Sequence, residues 1–210
     1  MTTIKPDPQL LFDSIRAQDL NSLRELISLG CDANFPIEEG LTPLMLASGE
    51  VNIEMVKILL EAGANVDDVD NYGYSPLMIA LENNDLDIFH YLEPFTNSEI
   101  KKIALLTSIM NGDLAKIEIL LTTGINVNQC REKGVWRENG RTALIVAIQE
   151  GFSEIVQALL EYGADPNLRD EDSGTTPLIS AIRVANEKLF LPLYSLEQTY
   201  SLVTLMAVHQ

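Results

Sequence analysis

Residues 155–167 read "IVQALLEYGADPN", an amphipathic run that ends in Gly163, Ala164, Asp165, Pro166 and Asn167. The phrase recurs as "MVKILLEAGANVD" at 55–67, and more loosely as "IEILLTTGINVN" at 117–128 and "LRELISLGCDAN" at 23–34. Apolar residues stand three and four apart, as Ile53, Val56, Leu59 and Leu60 do, which is the pattern of a helix with one buried face. Gly30, Gly63, Gly124 and Gly163 end these helices at the position where a left-handed backbone is expected. The Asn or Asp that follows favours a turn into an extended loop.

A second phrase stands before each later copy. It is "GLTPLMLAS" at 40–48, "GYSPLMIAL" at 73–81 and "GTTPLISAI" at 174–182, with "GRTALIVAI" at 140–148 lacking only the proline. Thr42, Ser75, Thr142 and Thr176 sit where a hydroxyl caps a helix by accepting from an orphan backbone N–H. Pro43, Pro76 and Pro177 follow at the first helical position, where the absent N–H costs nothing. The next leucine enters the core, and Ala47, Ala80, Ala147 and Ala181 keep the helix slim for a close neighbour. One unit is therefore a short helix, a turn, a longer helix and a projecting loop.

Gly30 to Gly63 and Gly40 to Gly73 are each 33 residues, and Gly140 to Gly174 is 34. A 33-residue period with a Thr-Pro-Leu helix start resembles the ankyrin repeat. The resemblance runs over about residues 8 to 194 and fails only at the family's His, whose place Met45, Met78, Ile145 and Ile179 take. It implies an all-α solenoid of about six helix-turn-helix units with finger loops. The usual Thr–His bonding between repeats is expected to give way to packing. The units fall at about 7–37, 38–70, 71–96, 97–130, 140–171 and 172–194, all in a single domain over 1–210.

The pattern bends at four places. Asp7 and Pro8 open a first unit that lacks the Thr-Pro-Leu half, as a terminal capping repeat does. Gly63 to Gly124 is 61 residues, five short of two periods. Pro94 stops a helix there, no finger follows, and Thr96 with Glu99 reads as a capping box for the next helix. Gly124 to Gly163 is 39, and the surplus forms an enlarged finger at 129–141 with Arg131, Lys133, Arg137, Arg141 and the sole tryptophan, Trp136. Beyond Pro192 a last helix is expected at 196–208.

The chain holds 14 Lys and Arg against 31 Asp and Glu, a formal charge of −17. Such a field repels phosphate backbones and anionic membrane surfaces, so neither nucleic acid nor membrane is expected as a partner. No apolar run approaches the roughly 18 residues that span a bilayer. Two cysteines, Cys31 and Cys130, make no metal spacing or disulfide framework. With no secretory signal at the N-terminus, the expected home is the cytoplasm.

Chemistry is sparse. His90 and His209 have no accompanying nucleophile motif. "DDVDNYG" at 67–73 fails as a calcium loop because Tyr72 and Ile79 stand where oxygen ligands belong. No Gly-rich phosphate loop occurs, so no catalytic residue, metal or cofactor is expected. The resemblance implies a surface function instead, through a concave face of fingers and inner helices. Variable finger positions include Glu38, Glu39, Leu41, Asp68, Asn71, Asp170 and Ser173. The residues taken as partner-binding are Tyr72, Tyr74, Arg131, Lys133, Trp136, Arg137 and Arg141, since Tyr, Trp and Arg are enriched at binding hot spots. The leading expectation is a monomeric, non-enzymatic scaffold or adaptor for a protein partner. The alternatives are an acidic regulatory subunit that competes with an anionic ligand for a basic partner, and a regulatory region of a larger enzyme.

Overall fold

The computed structural model describes residues 6–128, 140–171, 173–184 and 193–195. Eleven α-helices, two short 3-10 turns and a helical stretch at 193–195 carry the regular structure of these residues, and no strand occurs among them. The chain divides into two compact units, 1–100 and 101–210. The first holds three hairpins: α1 (Gln9–Arg16) with α2 (Leu20–Ser28), α3 (Pro43–Gly49) with α4 (Ile53–Glu61), and α5 (Pro76–Glu82) with α6 (Leu86–Leu92). Helices α1, α3 and α5 pack in one row, and α2, α4 and α6 in a second. Helix α7 (Ser98–Met110) begins at the end of this unit. In the second unit, α9 (Ala143–Glu150) packs on α10 (Ser153–Glu161) and α11 (Pro177–Arg183), and α10 packs on α8 (Leu114–Thr122). The helix expected at 196–208 lies outside the described residues.

Helix starts follow from the repeated phrase. Thr42, Ser75, Thr142 and Thr176 each accept from the backbone N–H three residues on, at 3.3 Å in all four copies. The copy without proline is capped as well as the others. Asp7 caps α1 through a 2.9 Å bond from the Gln9 N–H, with Pro8 in the first turn. Helix ends follow too. Gly63 has φ +85, and the Ala64 N–H reaches back to Leu59 O at 2.9 Å. Asp32, Asn65, Asn126 and Asp165 then each accept from the N–H two residues on, which turns the chain into the finger.

A row of small buried residues lets the inner helices approach. Ala47, Ala80, Ala147 and Ala181 are fully buried, and Ser14 and Ser108 hold the same place in the first and fourth units. The Ser14 hydroxyl satisfies itself on Leu11 O at 2.7 Å, so a polar residue fits there without an orphan donor.

Two sequence expectations change and two features are added. The cap of α7 is Asn97 rather than Thr96. The Thr96 hydroxyl turns back to donate to Leu92 O at 3.0 Å, and Asn97 caps α7 by accepting from the Ile100 N–H at 2.9 Å. In the last copy Leu178 is only half-buried and Ile179 is exposed, whereas Leu44, Met45, Leu144 and Ile145 are core residues. Hydrogen bonding between repeats is moved rather than lost. Asn34 donates to Gly63 O at 2.9 Å and accepts from the Asn65 N–H at 2.7 Å, and Asn128 repeats both bonds to Gly163 and Asp165. Finally, the turn inside each of the five hairpins between α1 and α10 holds a left-handed residue: Gln18, Val51, Asn84, Gly112 and Gly151.

Candidate partner-binding surface

In the first unit two fingers stand side by side. The first closes with a 2.9 Å bond from the Ile37 N–H to Leu41 O, the second with a 3.0 Å bond from the Asp70 N–H to Tyr74 O. The Asn71 N–H joins them by donating to Glu39 O at 2.8 Å. Gly40 makes this approach possible, since a Cβ there would meet the Asn71 N and Asp70 Cα at 3.3 Å. The Asp70 carboxylate fixes the second finger by accepting from the N–H groups of Tyr72 and Tyr74, at 2.9 and 2.8 Å. This is the work of the aspartate that a calcium reading needed as a ligand. No group of three or more His, Cys, Asp or Glu side chains placed to hold a metal occurs among the described residues.

Tyr72 is 59% exposed, and its hydroxyl donates to Glu39 Oε1 at 2.8 Å. That bond to a carboxylate holds the proton and pushes the phenol above its ordinary value. Tyr74 is half-buried beside it. These two predicted site residues are therefore brought together on one fixed loop. The structure adds Glu39 as the residue that orients Tyr72, exactly one period earlier in sequence.

In the second unit the finger after α10 closes with a 2.9 Å bond from the Asp170 N–H to Thr175 O, and Asp170 Oδ1 accepts from the Ser173 N–H at 2.7 Å. Glu171 crowds Gly140, where an added Cβ would lie 2.5 Å from Glu171 Cβ. Arg141 is half-buried, and its guanidinium donates to the Gln149 side chain on α9. Arg131, Lys133, Trp136 and Arg137 lie outside the described residues. His90 is exposed on the last turn of α6, with its ring edge-on to Phe89.

Charge is unevenly shared. Residues 1–100 contain 18 Asp and Glu against 4 Lys and Arg, a formal charge of −14 out of −17. The four cations are Lys5, Arg16, Arg24 and Lys57, so neither the fingers nor α3 and α5 carry one. Arg16 lies 4.0 Å from Asp13 and Lys57 2.7 Å from Glu54, each on its own helix. No helix among the described residues is long and apolar enough to cross a membrane.

The family model for ankyrin repeats matches residues 11–102 and 105–200. The chain is 33% identical over 171 residues to the ankyrin repeat protein YahD of Escherichia coli (strain K12), covering 76% of this chain and 82% of that protein. It is 28% identical over 192 residues to the ankyrin repeat protein FPV031 of fowlpox virus (strain NVSL), covering 89% of this chain but 47% of that protein. Among solved structures, the human ASB11 ankyrin repeat domain aligns at a TM-score of 0.60 and 24% identity, covering 89% of this chain and 82% of that one.

Proposed function

We propose that this chain, which belongs to the ankyrin-repeat family, is a non-enzymatic scaffold or adaptor that binds a protein partner through its finger loops and inner helices. Ankyrin repeats generally mediate protein–protein interaction. The observation that carries the reading is Tyr72, an exposed aromatic whose backbone is fixed by Asp70 and whose hydroxyl is held by Glu39. An aromatic ordered before contact loses little freedom on binding, which is what a hot-spot anchor needs. The enlarged finger at 129–141, with Arg131, Lys133, Trp136, Arg137 and Arg141, is the proposed determinant of partner choice, because its cations are counter-signed to the rest of the chain. The proposed setting is a cytoplasmic monomer.

The charge of −14 on residues 1–100 favours a second reading, a regulatory subunit whose acidic surface competes with an anionic ligand for a basic partner. That reading requires an affinity that collapses with salt, whereas an apolar hot spot holds its grip.

The immobilised full chain tests the first reading when it is set beside Glu39→Ala/Tyr72→Ala and Trp136→Ala/Arg137→Ala forms of unchanged thermal midpoint. A protein retained by the wild type and lost from either finger variant is the expected result. Identical retention by all three removes the fingers from partner binding.

A further inference from the structure

The fingers sit at the N-terminal ends of α3 and α5. At the other ends, the turns Glu50–Asn52 and Asn83–Asp85 border an open groove of about 490 Å³, lined by Val51, Ile53, Asn84, Asp85, Leu86 and Asp87 among others. Its walls are tied, since Asn83 Nδ2 donates to Gly49 O at 3.3 Å and Asn52 bonds to the Gln18 side chain. The groove therefore exists before anything enters it.

Two observations set it apart from an idle crease. Its apolar residues are open to solvent, Val51 at 57% and Leu86 at 40%. Val51 is also strained, with φ +58 at a place where the other hairpins have Gln, Asn or Gly. A β-branched residue in the left-handed region is an outlier, and strain of this kind concentrates where a side chain is needed for contact. Packing alone does not account for the valine, because more than half of the residue is open to solvent.

Charge then selects the occupant. Asp85 and Asp87 line the groove, Glu50 precedes Val51, and no Lys or Arg is among the lining residues. The Asp85 carboxylate is occupied at the start of α6, accepting from the N–H groups of Asp87 and Ile88 at 3.1 Å. Asp87 remains to face a ligand. A second copy of the chain brings −17 of its own, and phosphate or anionic lipid is repelled by the −14 that residues 1–100 carry as a whole.

We infer that this groove is a docking site for a basic segment of a partner protein, which lays an aliphatic side chain on Val51 and Leu86 and sets a Lys or Arg against Asp87. The surface is separate from the fingers and does not depend on their role. Repulsion of anions and attraction of cations by unit 1 steers such a segment inward, and the apolar contact retains it.

The test pans a phage-displayed library of random dodecapeptides on the full chain and measures the recovered peptides by fluorescence anisotropy. The expected peptides are net basic with an aliphatic residue beside Arg or Lys. Asp87→Lys should weaken them tenfold or more, while Glu118→Lys, an equal charge change at an exposed site on α8, should change affinity less than twofold. Val51→Gly relieves strain, so it should fold at least as well as the wild type yet bind several-fold more weakly. Recovery of no peptide or of neutral or acidic ones, equal loss in both charge reversals, or unchanged affinity in either groove variant overturns the proposal. Peptides sensitive only to Tyr72→Ala would support the fingers and overturn the groove.

Discussion

Replacing Val51 by glycine should make the protein more stable, against the usual effect of deleting a valine side chain. Its φ of +58 costs about 2 kcal/mol for a β-branched residue, within the range of about 1–3 kcal/mol for such outliers. Glycine removes that cost. Against it stands the lost burial. With 57% of the residue exposed, about two-fifths of a valine's roughly 1.5 kcal/mol is forfeited, or about 0.6 kcal/mol. The freer unfolded chain around a glycine takes about another 0.5 kcal/mol. The balance is a gain of about 1 kcal/mol, a rise of roughly 2–4 °C in Tm for a chain of this size. Urea denaturation followed by circular dichroism measures it, with Val69→Gly as the control. Val69 is 45% exposed and its φ is not positive, so glycine there relieves nothing and should cost about 1 kcal/mol. Val51→Asn should resemble Val51→Gly, since Asn84 occupies the equivalent place at φ +54. If Val51→Gly destabilises as much as Val69→Gly does, the strain argument is wrong, and with it one support of the groove assignment.

Three other outcomes follow from bonds already described. Asn34→Ala removes two bonds between successive repeats and should lower stability by about 1–2 kcal/mol in urea, with Asn128→Ala doing the same in the second unit. The carboxyls of Asp19 and Asp113 are both held below the ordinary aspartate range: bonds from the Ser22 hydroxyl and N–H lower Asp19, while at Asp113 burial raises the carboxyl but the Lys116 N–H and ammonium outweigh it. A folded value below the unfolded one contributes stability above the unfolded pKa and loses it as pH falls through the folded pKa. Acid denaturation profiles below about pH 4 should therefore flatten in Asp19→Asn and Asp113→Asn. Alkaline ultraviolet titration should find Tyr72 ionising above the ordinary phenol value, and Glu39→Gln should lower it.

The fold was legible because its local signals are chemical. A hydroxyl three residues before an N–H, a glycine past a last turn and an Asx two residues before a finger N–H act within a few residues of chain. Their spacing needs no tertiary knowledge. Errors arose where the deciding partner is distant or where two residues compete for one role. Thr96 and Asn97 are both good caps, and the choice went to Asn97 because the Thr96 hydroxyl reached Leu92 O first and the Asn97 N–H was caught by Asp67 across 30 residues. The asparagine ladder at Asn34 and Asn128 was written in the repeat at a constant offset from each glycine, but its acceptor lies in the next copy. Of the candidate site, the finger positions of Tyr72 and Tyr74 were readable from the repeat. Glu39 as the residue that orients Tyr72 was not, because a pairing between equivalent positions appears only when the copies are stacked. Arg141 looked available as a finger cation, yet Gln149 one helix away already accepts its guanidinium.

The left-handed turn residues Gln18, Val51, Asn84, Gly112 and Gly151 are spaced 33, 33, 28 and 39 residues apart. A strictly periodic array has a folding hazard, since any copy can take its neighbour's place and the chain can assemble one step out of register. The first three copies, at an even 33, are exchangeable in this sense. The fourth and fifth are not: a chain slipped by one step has to close one connection with five residues too few and the next with six too many. Uneven spacing acts as a key cut into an otherwise uniform row, so that only one alignment of copies lets every connection close.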